Sequence, residues 1–598
     1  MASEKLGEKI GISEELIKTS CRLSLQAQDY PNELFHVAKH SSETVLIVFT
    51  GSWLVIDWFS GDKAFGETEI NRELFPSMRS IGNEEVATVN QAFLKRFELV
   101  WKNPKFQEEV ETAIRQGKLI IFTGHSAGGS IAVLATIWFL EKYSKARTAK
   151  CVTFGSPLVG DFIVSHALKR EKWSQHFVHF VMRYDIVPRI LFAPLSSIQQ
   201  EFEHILHYFT AKNHHFPDES ITADFYTKVM SNTSSLASHA ACKLMGSTNL
   251  LLETLKNFIQ LSPYRPFGTY VFCTGNGKLV HLDNPDAVLQ LLFYSCQLNN
   301  EAEKEATARS CIIAHSSYET ELLGIEGSLD MQDVVYVDQL PQLPLASDGG
   351  ALDDLGLSTR GRLCLRAAGE LEKQKQKNQK QIEKKMEEME LGMKGLEEYR
   401  LFNEQKGGGY YDAFKKQEDK KDFDANVKRL VLAGIWDEII EMLKRYDLPD
   451  EFEGQEFWIQ LGTKFRRLVE PLDIANYYRH AKNEDTGAYM VKGRPRRYRY
   501  TQRWLEKNEG VESGTYGESC FWAEMEELLK LASNGGNVEK AKVEKLRVDL
   551  IQWINSKMIG KDVLLGESTF VKLWDKLVHL KLQKDSIEQL MTQLSIAS

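Results

Sequence analysis

A serine stands between glycines in Gly124-His125-Ser126-Ala127-Gly128, directly after the apolar run KLIIFTG and directly before the helix-like GSIAVLATIWFLEKY. This order of strand, tight turn and helix is that of a nucleophile elbow, which lifts a serine oxygen above a parallel sheet. Glycines suit the flanking positions because side chains there would collide with the turn and the neighbouring strand. The helix that follows aims its first amides at the site, where negative charge develops in acyl transfer. Ser126 is therefore the expected nucleophile. Ala127 is the expected first amide of an oxyanion hole. The second amide comes from a loop after an earlier strand, and VFTGSWLVIDW supplies one, with Ser52 as its donor.

Such a serine needs an acid and a histidine later in the chain, in that order. Asp185 follows the alternating run HFVHFVM and sits in RYDIVPRI, so its carboxylate emerges at a strand's C-terminal end. The histidine is less sharply marked. His204, His207, His214, His215, His239, His281 and His315 all lie downstream. His281, in KLVHLDN, reads as an ordinary strand-face residue, whereas His315, in CIIAHSSYE, follows a short apolar run and opens a polar loop. His204, His207, His214 and His215 lack an acid or cysteine at ligand spacing, so no metal is expected.

A second constellation lies far from the first. Between Arg479 and Arg503 stand Arg479, Lys482, Lys492, Arg494, Arg496, Arg497, Arg499 and Arg503, interleaved with Tyr477, Tyr478, Tyr489, Tyr498, Tyr500 and Trp504. Guanidinium groups suit phosphates and aromatic faces suit a nucleobase, so the segment reads as a nucleotide surface. A solvated charged face and a nuclear-import signal in GRPRRYR are the alternatives. In STNLLLETLKNFIQL, residues Leu251, Leu255, Phe258 and Ile259 follow the spacing of one helix face, which fits either a core stripe or a helix inserting into an apolar groove.

The elements that position these residues follow from periodicity. From Val45 to about residue 345, β-runs (TVLIVFTG, KLIIFTG, AKCVTFGS, FVHFVM, TYVFC) alternate with helix-length segments, the pattern of a parallel sheet covered on both faces. ASDGGALDDLGLSTRG loses both periodicities and reads as a linker. LEKQKQKNQKQIEKKMEEMELGMKGLEEYR has apolar residues too sparse for a long coiled coil and reads as one exposed helix. Beyond it, runs such as NVKRLVLAGIWDEIIEMLKRY are amphipathic and helical. The expected division is 1–350, an α/β-hydrolase domain; 351–400, linker and charged helix; and 401–598, a helical bundle.

The 598 residues exceed a single core, and 43% hydrophobic with 26% charged residues is ordinary for globular chains. A net charge of −9 argues against general nucleic-acid binding. MASEKLGEKIGISEE has no apolar signal core, and the apolar stretch 119–140 is interrupted by the elbow, so neither secretion nor a membrane span is expected. Eight scattered cysteines read as buried, reduced thiols.

The stretches TGSWLVIDWFSG, GETEINRELFPSMRSIG, GHSAGG, CVTFGSPLVGD, MRYDIVPR and SPYRPFGTYVFC together resemble the lipase-like half of the plant enhanced disease susceptibility family. VEPLDIANYYRHAKNEDTGAYMVKGRPRRYRYTQRW is similar to the family's helical C-terminal half. The resemblance implies a class 3 lipase-like α/β-hydrolase domain followed by a helical domain, with His315 as the third triad member. It also marks a departure: related lipases usually carry Arg-Gly-Thr where this chain has Thr50-Gly51-Ser52. It implies that the Leu251 helix inserts into a phytoalexin-deficient or senescence-associated partner, giving mutually exclusive heterodimers. Lys482 and Arg497 match the family's cavity-lining basic residues, with Phe423 and His480 near the same surface. That cavity is expected to receive ADP-ribosylated or phosphoribosyl nucleotides made by Toll/interleukin-receptor enzymes, and to favour docking of helper nucleotide-binding, leucine-rich-repeat receptors in cytoplasm and nucleus. No cofactor is implied. Two functions stay open: a signalling scaffold that does not turn over substrate, and a serine lipase or esterase.

Overall fold

The structure is a computed structural model that describes residues 6–143, 149–210, 216–246, 260–298, 300–323, 334–337, 339–347, 349–511, 517–534, 538–580, 589 and 592. Two compact units are present: residues 1–80 with 84–374, and residues 81–83 with 375–598.

The first unit is built on an eight-stranded sheet. Its strands and those of a small ribbon are, in chain order, β1 (Phe35–Lys39), β2 (Thr44–Phe49), β3 (Glu67–Glu69), β4 (Thr88–Asn90), β5 (Leu119–His125), β6 (Ala149–Phe154), β7 (Phe177–Met182), β8 (Thr269–Cys273), β9 (Leu279–Leu282) and β10 (Val334–Tyr336). β3 and β4 form the ribbon; the large sheet runs β1-β2-β5-β6-β7-β8-β9-β10. β2, β5, β6, β7 and β8 are successively parallel, while β1 and β9 run antiparallel to β2 and β8. Central strands buried on both faces need continuous apolar runs, and IIFTGH of β5 and FVHFVM of β7 are buried throughout.

The helix after β5, Ala127–Lys142, is buried from Ala127 to Leu140. It is a core helix, apolar all round, packed on β5 and β6. On the sheet's other face lies Glu14–Gln26, whose Ser24 hydroxyl meets the Thr123 hydroxyl of β5 at 3.0 Å.

In the second unit the helix Glu456–Arg479 packs against Met386–Gln405, Tyr410–Lys416, Lys420–Lys444, Arg496–Glu509 and Phe521–Ser533. Trp436 stacks on Phe465 at 5.0 Å, and Phe452 stacks on Trp458 at 4.6 Å. Each such large apolar side chain contributes about 1.5–3 kcal/mol by leaving water. Where one exposed charged helix was expected, two occur, Thr359–Glu383 and Met386–Gln405. Their sparse apolar residues Ile382, Met389, Met393, Leu396 and Tyr399 are buried in the bundle core. A stripe one residue wide is enough to seat a helix whose remaining faces are charged.

Among the described residues no helix is long and apolar enough to cross a membrane.

Candidate active site

The elbow forms because β5 ends at His125, in register with Phe154 of β6, and the next helix starts at Ala127. Ser126 alone turns the chain, at φ 55° and ψ −136°. A non-glycine residue there costs on the order of 1–3 kcal/mol. Its neighbours hold it: the Ser126 amide donates to the Phe154 carbonyl at 3.0 Å, and the Gly129 amide donates to the Ser126 carbonyl at 2.9 Å. A Cβ on Gly124 would lie 2.3 Å from the Gly128 carbonyl carbon, and one on Gly128 would lie 2.3 Å from the Phe49 carbonyl oxygen. Both glycines of the pentapeptide are thus sterically required.

Asp185 lies three residues past β7, in the turn before Val187–Phe192. Its Oδ1 accepts from the Val187 amide at 2.9 Å, and both carboxylate oxygens lie 3.0 Å from His315 Nδ1. A carboxylate only accepts, so His315 Nδ1 carries the proton and Nε2 is left as the base. His315 caps the helix Lys304–Ala314. Among the described residues His315 is the downstream histidine bonded to Asp185, His281 sits buried on β9, away from Asp185's hydrogen bonds, and His214 and His215 lie outside the described residues.

Ser126, Asp185 and His315 are each fully buried. Among the described residues neither Ser126 Oγ nor His315 Nε2 has a hydrogen-bond partner, so the serine is not engaged by its base. Phe209 and Trp53 pack edge-on against the imidazole, with ring centroids 4.9 and 6.0 Å from it, and Trp53 also contacts Phe209 at 5.2 Å.

A Cβ on Gly51 would lie 3.3 Å from the Gly128 amide nitrogen, which brings the Thr50-Gly51-Ser52 loop against the start of the helix at Ala127. Neither the Ser52 nor the Ala127 amide donates to another described residue. The Ser52 side chain itself turns away to donate to the Asp57 carboxylate.

Three supporting groups carry no motif of their own. The Tyr318 hydroxyl donates to Asp185 Oδ2 at 2.7 Å and accepts from the Met182 amide at 3.0 Å; burial, reinforced by the Asp185 charge, holds its pKa well above the ordinary range. Tyr318 lies three residues after His315 in HSSY, but one tyrosine near a histidine is no signal. His125, the variable position of the pentapeptide, stacks on His315 with centroids 4.2 Å apart and donates through Nε2 to the His315 carbonyl at 2.8 Å. Burial, then the neighbouring His315, pushes its pKa well below 6.5, so it stays neutral. Arg189 is fully buried and donates to the carbonyls of Leu292, Arg183 and Asp185, bracing the acid's backbone.

The basic segment in the second unit differs from its expectation. Tyr477, Tyr489, Tyr498, Tyr500 and Trp504 are buried in the bundle core, so their faces are not free to stack on a base. The arginines between these rings are not all outward either: Arg494 is buried, and the Arg497 side chain is largely so. Arg497 is paired: its Nη1 donates to both oxygens of Asp437 at 2.9 and 2.8 Å, and its Nη2 donates to Asp473 at 2.5 Å. Asp473 also accepts from Arg429 and from the Tyr498 hydroxyl at 2.6 Å, tying three helices. Arg494 is bound to the buried Glu470. Phe423, His480 and Lys482 are exposed and are not bonded to Arg497. Phe423 (65% exposed) continues into Val427 (45%) and Leu430 (55%) along one face of Lys420–Lys444, an apolar stripe not anticipated from sequence. Leu251, Leu255, Phe258 and Ile259 lie outside the described residues. Among the described residues no cluster of three or more histidine, cysteine or acidic side chains is placed to hold a metal.

Residues 394–592 match the Enhanced disease susceptibility 1 protein EP domain family, and residues 59–194 match Lipase (class 3). The chain is 43% identical to Protein EDS1L of Arabidopsis thaliana over 94% of this chain and 95% of that one. From the same plant, Lipase-like PAD4 is 26% identical over 76% of this chain and 71% of its own length. Senescence-associated carboxylesterase 101 is 22% identical over 91% and 85%.

Proposed function

The chain belongs to the enhanced disease susceptibility 1 family of plant immune regulators, whose relatives are lipase-like, and from that premise we propose that it works as a heterodimeric scaffold rather than by turnover. One observation carries this reading. Ser126 and His315 are fully buried, unengaged with each other, and the base is flanked by Trp53 and Phe209. An ester carbonyl must come within about 3–3.5 Å of a serine activated by its base. Among the described residues the serine is enclosed and neither donates a hydrogen bond to its base nor accepts one from it.

In this reading the lipase-like unit docks, through the Leu251–Ile259 segment, onto a phytoalexin-deficient or senescence-associated relative. The two helical domains then share a cavity for an ADP-ribosylated or phosphoribosyl nucleotide made by a Toll/interleukin-receptor enzyme. Lys482 and Arg497 meet its phosphates, with His480 and Phe423 on the same surface, and the filled cavity recruits a helper receptor in cytoplasm or nucleus. The Arg497–Asp437 pair supports a phosphate role: Asp437 is half exposed, so its ion pair is weak and a phosphate can displace it while Asp473 keeps the guanidinium in place.

The second reading, a serine esterase using Ser126, His315 and Asp185, is favoured by the strained elbow and the Asp185–His315 hydrogen bonds. The triple variant Ser126→Ala, Asp185→Ala, His315→Ala separates the two. A scaffold keeps nearly full immune output in plants lacking the native protein, whereas an enzyme loses most of its rate, on the order of 10⁴-fold or more. Loss of output from soluble triple variant that still forms heterodimers rejects the scaffold.

A further inference from the structure

We propose that Cys296 and Cys311 form a peroxide-oxidisable dithiol, a covalent modification site directly behind the Asp185 loop. Their sulfurs are 3.2 Å apart, and both residues are fully buried. A closure of roughly 1.1 Å brings them to the ~2.05 Å disulfide bond. Cys296 lies just beyond the helix Pro285–Tyr294, and its carbonyl is held by the Tyr226 hydroxyl at 2.6 Å. Cys311 lies in the helix Lys304–Ala314, and its carbonyl accepts from the Ile186 amide at 3.3 Å. The pair thus joins the turn after one helix to the helix that ends at His315.

The charges around the sulfurs distinguish them. Arg189 is a buried cation that donates to three carbonyls and the Ser295 hydroxyl, all neutral acceptors, and makes no carboxylate ion pair among the described residues. It favours an anion nearby. The hydrogen bond from Cys311 lowers the Cys296 pKa, with Arg189 adding to the effect against burial and Asp185; burial raises that of Cys311. Cys296 is therefore the sulfur that more readily gives up its proton to become the attacking thiolate, and Cys311 is the resolving thiol. Other buried thiols, Cys21, Cys151 and Cys520, are pushed the opposite way by burial.

The oxidant is hydrogen peroxide, small enough to enter a closed core during local opening. Cys296 Sγ attacks one peroxide oxygen, the O–O bond breaks, and the departing hydroxide takes the proton of Cys311. The Cys311 thiolate then attacks the Cys296 sulfenic sulfur, the S–O bond breaks, and the second hydroxide leaves as water with a solvent proton. Two thiols and one peroxide become one disulfide and two waters, and a dithiol reductant reverses the change.

The test exposes the folded full-length protein to hydrogen peroxide, blocks remaining thiols under denaturing conditions, and maps peptides by mass spectrometry. The expected product is a Cys296–Cys311 cross-linked peptide, lighter by two hydrogens and lost on treatment with dithiothreitol. In Cys311→Ser, dimedone should label Cys296; in Cys296→Ser, Cys311 should remain a free thiol. Full alkylation of both cysteines in unmodified protein whose exposed methionines have been oxidised overturns the proposal, as does cross-linking of either cysteine to a different one. The peptide map of the unmodified chain decides the matter even if a variant fails to fold.

Discussion

Single atoms decide how firmly the candidate triad is held. The Tyr318 hydroxyl serves Asp185 and the Met182 amide at once, both fully enclosed. Tyr318→Phe keeps the ring and strands the amide, so it should cost about 1–3 kcal/mol, read as a lower urea midpoint, with heterodimer formation unchanged. An unchanged midpoint would mean that the hydroxyl is dispensable to the fold. His179 on β7 gives a pH signature. Burial lowers its pKa from 6.5 to about 3, so it is neutral in the fold, whereas the unfolded chain takes a proton below about pH 6.5. Its contribution is complete above that pH and is lost as pH falls toward 3, at about 1.4 kcal/mol per pH unit. His125, also depressed, acts in the same direction. Unfolding free energy measured between pH 7.5 and 5 should fall with decreasing pH, and His179→Gln should remove about one proton's worth of the slope; an unaltered slope would show that His179 does not titrate on unfolding.

At the scale of elements, the reading from sequence succeeds where one physical demand dominates. Parallel strands covered on both faces need unbroken apolar runs, so the central strands declared themselves; the elbow did so because Gly124 and Gly128 have no room for a side chain. It fails where the demand comes from elsewhere in the fold. Position alone did not separate His315 from the other histidines, since only its meeting with Asp185, 130 residues away, does so. Tyr489, Tyr498 and Tyr500 looked like a binding face because their sequence neighbours are arginines, yet the bundle takes every one of these rings into its core. Asp473 joins Arg429, Arg497 and Tyr498 from two neighbouring helices. Asp473→Ala should therefore destabilise the helical unit by about 3–5 kcal/mol, leaving two guanidinium groups without their shared partner. Arg497→Ala should cost clearly less, because Asp473 retains Arg429 and Tyr498, yet it should abolish helper-receptor recruitment while heterodimers still co-purify. Arg497→Lys, keeping charge without the fork, should recover recruitment in part. Comparable unfolding midpoints for the Asp473 and Arg497 variants would contradict this division of labour.

For the molecule as a whole, assembly is the property that the proposed function needs most. Leu255→Ala with Phe258→Ala should weaken heterodimer formation by roughly 2–4 kcal/mol if both are central anchors. Lost co-purification with a normal melting temperature is the expected result; a depressed melting temperature with intact assembly would return the stripe to the core. The backbone of Ser126, held at φ 55° by a sheet and a helix that do not depend on its hydroxyl, bears on ancestry as well as on chemistry. Glycine at that position would escape the ~1–3 kcal/mol penalty, so this backbone offers a downhill route away from the nucleophile. Drift without selection should tend to take that route. Which residue occupies the position in descendants that have lost esterase activity thus becomes a fossil record of when the hydroxyl last mattered.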